Sequence, residues 1–136
     1  MHETGNSVAM FLNGTAMSGL KDHVHIPGSR FLGERRTAPR YLFYSVRDEF
    51  PGLVPVESGG VAVWGELYEI DRSIWRDRLL PNEPKELVPG EVELEDGARA
   101  HVMLLELGRI PPGDKLVDIG AFGGWRAYFE YLGTSG

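Results

Sequence analysis

The chain contains no cysteine, which excludes disulfides, thiolate metal sites and cysteine nucleophiles together. It also lacks a positive excess: 14 Lys and Arg stand against 20 Asp and Glu, a formal charge of −6. With no global field to attract phosphate backbones or anionic lipid, nucleic acid is not an expected partner. Long apolar runs are missing as well. The run at residues 8–12 is far shorter than the roughly 20 residues of a membrane span, and no basic region precedes it as in a signal peptide. No membrane contact and a cytoplasmic location are the expectation. Several catalytic signatures are absent too: the Gly-x-Ser-x-Gly elbow, His-Glu-x-x-His, a Walker loop, and Gly-x-Gly-x-x-Gly after a strand.

What is present is the composition of an ordinary folded protein. In 136 residues, 42% are apolar and 25% charged, enough for a single domain over residues 1–136 with one core. The polar residues 1–6 read as a loose N-terminus. Gly 18 and Pro 9 imply many turns between short elements, hence a β-rich chain.

Residues 7–12 read as a buried strand stopping at Asn13-Gly14, and 24–26, 31–32 and 41–46 as further strands. Residues 50–53, with Pro51-Gly52, read as a turn. Residues 61–70 form the longest strand, where Gly65 marks a bulge or the close approach of another backbone. Asp71 fits a helix N-cap, with Ile74, Trp75 and Leu79 at helical spacing ahead of Pro81. A Pro-rich connection follows over 81–90. The alternation at 91–95 ends on Asp96-Gly97, a hairpin signal, and 100–106 is the returning strand. Trp125, Tyr128, Phe129 and Leu132 have the spacing of a final helix, with Trp125 and Tyr128 as core anchors. The fold class is therefore α+β, mostly β: a small closed or strongly curved β-barrel with short flanking helices and a ligand site at its mouth.

Four constellations carry candidate chemistry. Asn13, Gly14, Thr15, Ala16 and Met17, leading to Ser18-Gly19, form either a simple turn or a nest of backbone N–H groups able to hold a carboxylate. Glu83, between Pro81 and Pro84, sits on a stiff segment from which a carboxyl can serve as general acid or base. Glu66 and Glu69 flank Tyr68 on the central strand, and one of Glu66 and Tyr68 facing inward is functional or hydrogen-bonded, because a buried carboxylate needs a partner. Arg126 is placed to reach a substrate carboxylate. His23 and His25 share one strand face, but no third ligand has a compatible spacing, so neither a metal nor another cofactor is expected. The basic cluster Arg30, Arg35, Arg36 and Arg40 reads as a solvated loop or strand edge.

Taken together, the opening strand and turn at 11–19, the run from Phe31-Leu32-Gly33 to Tyr41, Val63-Trp64-Gly65-Glu66-Leu67-Tyr68-Glu69, and Leu79-Leu80-Pro81-Asn82-Glu83-Pro84 resemble the γ-glutamyl cyclotransferase-like superfamily. The tail Gly123-Gly124-Trp125-Arg126-Ala127-Tyr128, with Asp96-Gly97, looks more like the C-terminal domain of allophanate hydrolase, whose first turn carries a His where Ala16 stands here. The resemblance implies a compact barrel, a turn at residues 13–17 holding a substrate carboxylate, and Glu83 as general acid/base. It implies an enzyme acting on a carboxylated amide or an N-carboxylated urea-type compound with release of carbon dioxide, with a separate amidase as its partner. Two alternatives stay open: γ-glutamyl cyclotransfer releasing 5-oxoproline, and a non-catalytic binding module or amidase partner.

Overall fold

The structure, a computed structural model, describes residues 7–13 and 30–135. Eight strands among these residues form one sheet: β1 (Ser7–Leu12), β2 (Arg30–Arg36), β3 (Tyr41–Val46), β4 (Phe50–Pro55), β5 (Trp64–Asp71), β6 (Leu87–Glu93), β7 (Arg99–Leu105) and β8 (Leu116–Asp118). The spatial order is β2-β5-β1-β7-β4-β3-β8, with β6 also paired to β7. The sheet curls into a half-barrel, as the sequence pattern predicts. The end of β2 meets the end of β6 at one rim, where Glu95 N–H donates to the Arg36 carbonyl and Ala38 N–H to the Glu93 carbonyl, both at 2.9 Å. Curling in this way satisfies backbone groups that an open edge would expose.

Register fixes what points inward. In the β1–β5 pair, Val8 faces Ile70, Met10 faces Tyr68 and Leu12 faces Glu66, so the two strands present one row of side chains to the core. That core is continuous, joining Met10, Phe43, Leu53, Ile70, Val102 and Trp125. The inward row thus carries one carboxylate, Glu66, at its open end.

Short helices cover the barrel. Asp71 caps α1 (Arg72–Ile74), its carboxylate accepting the Ser73 N–H at 2.8 Å. The helix continues as a π-helical turn (Trp75–Leu79) and a 3-10 turn (Leu80–Asn82). Helix α2 (Trp125–Ser135) buries Trp125 and Tyr128, as their spacing predicts. Among the described residues, no helix is long and apolar enough to cross a membrane.

Some expectations need correction. Residues 50–53 are the start of β4, and the turn lies earlier, at Arg47-Asp48, with φ of 54° and 58° and Glu49 N–H bonded to the Val46 carbonyl at 2.9 Å. Positive φ at both central residues is the tight hairpin geometry usually reserved for Asn and Gly. Here side chains hold it. Asp48 accepts hydrogen bonds from Ser45, Tyr128 and Lys115 at 2.6, 2.7 and 2.6 Å. Arg47 donates to Glu49, Asp114 and the buried Glu86. The stretch at 81–90 also contains the first residues of β6, including Pro89 and Gly90. The expected strand at 24–26, the loose end at 1–6 and His23 and His25 lie outside the described residues.

Candidate functional site at the barrel mouth

At the open end of the β1–β5 pair, Gly65 lets two strands come unusually close. A Cβ placed there would sit 2.5 Å from the Phe11 ring and 2.6 Å from the Leu12 carbonyl oxygen. Gly65 is therefore the close approach that its place in the strand suggests, and the register shift in this part of the sheet lies on β2, between Phe31 and Gly33.

The next residue, Glu66, is 5% exposed. Its carboxylate accepts the Tyr68 hydroxyl at 3.0 Å and an Arg126 guanidinium N–H at 3.1 Å. These bonds offset the desolvation that an isolated buried carboxylate would suffer. Tyr68 and Arg126, both singled out in the sequence, are thus brought together on a third group whose need for a partner was also legible. Arg126 itself is about half exposed at 46%, leaving the guanidinium accessible at the surface.

Helix α2 is aimed by a glycine-rich turn. Gly123 takes φ of 75° after the 3-10 turn Gly120–Phe122, and its carbonyl accepts the Trp64 N–H at 2.8 Å. That bond ties the start of β5 to the start of α2, which is why Arg126 meets Glu66. Between them lies a concavity of about 210 Å³, walled by Trp64, Phe122 and Trp125, with Glu34, Glu66 and Arg126 as its charged groups among the described residues. An apolar wall with a few convergent polar groups is the usual make-up of a small-molecule site. Glu34 and Trp64 were not anticipated as site residues. Glu34 faces Glu66 across the β2–β5 pair only because of the Phe31/Gly33 shift, and no local pattern reveals that.

Asn13 follows Leu12 directly, and its side-chain N–H group is buried with no hydrogen-bond partner among the described residues. Such a donor is costly unless something accepts from it. Gly14, Thr15, Ala16 and Met17, expected to extend this turn, lie outside the described residues. Glu83 follows the Leu80–Asn82 turn, its N–H donating to the Leu80 carbonyl at 3.1 Å. It is half-buried and is not among the residues lining the Glu66 concavity.

A second, more polar hollow of about 240 Å³ lies between the starts of β1 and β7, beside Arg72, Glu91, Arg99 and His101. Arg99 is held there by Glu91 at 3.0 Å and His101 packs on the Trp75 ring. Among the described residues, no three His, Asp or Glu side chains are grouped to hold a metal ion.

Comparisons with known proteins agree with this architecture. Residues 8–130 match the family model described as the allophanate hydrolase C-terminal domain. A uropathogenic E. coli-specific protein of known structure is 30% identical, with a TM-score of 0.83 over 92% of this chain and 97% of that one. Kluyveromyces lactis allophanate hydrolase is 27% identical with a TM-score of 0.83; the match covers 96% of this chain and 22% of that enzyme. An AIG2-like protein of Mus musculus shares the fold at 20% identity and a TM-score of 0.58, over 78% of this chain and 85% of that one. A search of curated proteins gives no match. The chain belongs to the family of allophanate hydrolase C-terminal domains.

Proposed function

We propose that the chain acts on a small carboxylated amide or urea-derived compound at the barrel mouth, with Glu83 as the proton-transfer group. The observation that carries this reading is the unpaired, buried amide of Asn13. An oxygen of a substrate carboxylate supplies the acceptor it lacks. Arg126, held by Glu66, adds a charged donor at the same mouth. Membership in the family favours an N-carboxylated urea as the substrate class.

The chemistry is a decarboxylation. The bond between the nitrogen and the carboxylate carbon breaks, carbon dioxide leaves, and the electron pair remains on nitrogen. Glu83, in its acid form, delivers the proton to that nitrogen. General acid catalysis of this kind contributes about 10²–10⁴-fold. The test is release of labelled carbon dioxide from allophanate. The wild type should exceed the buffer rate, and Glu83→Gln should lose most of the excess. Unchanged turnover in Glu83→Gln removes Glu83 from the role, and conversion of γ-glutamyl peptides to 5-oxoproline instead overturns the substrate class.

One observation favours a second reading. The match covers 22% of the longer K. lactis enzyme, which suits a module that binds the compound for an amidase and does not turn it over.

A further inference from the structure

Resting on the reading above, we infer that the Glu66 pocket takes a cationic, planar nitrogen group, a guanidinium, at the end of the ligand opposite its carboxylate. Three observations lead there. The first is charge. The pocket is lined by two carboxylates, Glu34 and Glu66, against one cation, Arg126. Arg126 is already bonded to Glu66. Glu34 has neither an ion-pair nor a hydrogen-bond partner for its carboxylate among the described residues. Among the described residues, the Glu34 carboxylate is thus the acidic group of this pocket without a cation.

The second is geometry. Glu34 and Glu66 are direct cross-strand partners, a placement that sets side chains roughly 5 Å apart at Cβ and that is unfavourable for like charges. A cation donating to both carboxylates removes the repulsion. The nearby arginines do not serve. Arg36 is bonded to Glu95 at 2.9 Å, and Arg35 turns back to donate to the Glu34 backbone carbonyl at 3.1 Å.

The third is the wall. Trp64 is half exposed and lines the pocket. Its ring already carries the Arg36 guanidinium at 5.3 Å, so this indole is compatible with a flat delocalised cation. A guanidinium offers both an edge of N–H donors for Glu34 and a face for aromatic rings.

The experiment compares guanidinoacetate with ureidoacetate, which differ by a cationic amidine in place of a neutral carbonyl on the same carboxylate. Titrations are followed at the Trp64 indole N–H by NMR, assigned with Trp64→Phe. Guanidinoacetate should bind about tenfold more tightly than ureidoacetate, as a charge-assisted contact implies. Glu34→Gln should abolish that preference while leaving ureidoacetate binding in place, and Glu106→Gln, an exposed change elsewhere, should leave it intact. If both probes bind equally, or the preference survives in Glu34→Gln, the inference is overturned and the urea-derived reading stands. If neither probe binds anywhere on the protein, the reading of the site fails and the inference with it.

Discussion

Gly65 and Glu66 define the mouth residue by residue, and each makes a separate demand on the sequence. At Gly65 the obstacle to any side chain is partly backbone, the Leu12 carbonyl oxygen 2.6 Å from a would-be Cβ, and backbone cannot swing aside. Gly65→Ala should cost about 1–3 kcal/mol, read as a lower urea midpoint at unchanged slope. Gly124 is the contrast. Its Cβ would meet Trp64 at an ordinary 3.5 Å, so Gly124→Ala should stay within about 0.5 kcal/mol of wild type. At Glu66, removing either partner is not symmetrical. Arg126→Met takes a cation from a carboxylate that is 5% exposed and should cost about 1–3 kcal/mol, whereas Glu66→Gln keeps the shape and an acceptor and should cost less. Equal losses in thermal or urea unfolding would contradict this account of the pair. Glu66 and Tyr68 were singled out because a carboxylate facing inward needs a partner, and Arg126 as a cation able to reach a carboxylate; its bond to Glu66 had no local signal. Glu34 was not, because its place opposite Glu66 depends on a shift in another strand.

Among the elements, the β3–β4 hairpin is where pH should act. The Lys115 ammonium, then the Ser45 and Tyr128 hydroxyls, hold the Asp48 carboxyl down at about 2 from an ordinary 3.8. A carboxyl depressed on folding stabilises the protein above its unfolded value, and that contribution is lost as pH falls from about 4 toward 2. The linkage is worth on the order of 2 kcal/mol. Asp48→Asn should remove it, flattening acid unfolding over that window while keeping the left-handed backbone that Asn tolerates. An unchanged acid transition would contradict it. The same hairpin explains what the sequence hid. Asp96-Gly97 and the Asp71 cap were legible because the local residues suit their backbone, with Gly97 at φ of 90° and Asp71 bonded to Ser73. Arg47-Asp48 gave no such signal, since its conformation is held by residues as distant as Asp114, Lys115 and Tyr128. Without that turn, the start of β4 reads as a turn at Pro51-Gly52, and the short β8, which pairs with β3, carries no pattern of its own.

At the scale of the whole molecule, the curled sheet was legible from many short strands and the need to hide their edges. The order of strands was not, because β1 lies between β5 and β7, with parallel pairing to β7, and such long-range pairing leaves no local trace. Curling brings the start of β5 and the start of α2 together, so that Glu66 meets Arg126 at one mouth, while Asn13 follows Leu12, the β1 partner of Glu66. The central claim is that this rim takes a small carboxylated amide. Thermal unfolding with biuret, malonate, ureidoacetate, glutamate and 5-oxoproline, for the wild type and for Arg126→Met, tests it most directly. A ligand at about 100 times its Kd adds about 2.7 kcal/mol, so ureidoacetate should raise the wild-type Tm by several degrees and have little effect on Arg126→Met. No rise with any of these compounds, or an equal rise in both proteins, would contradict the claim.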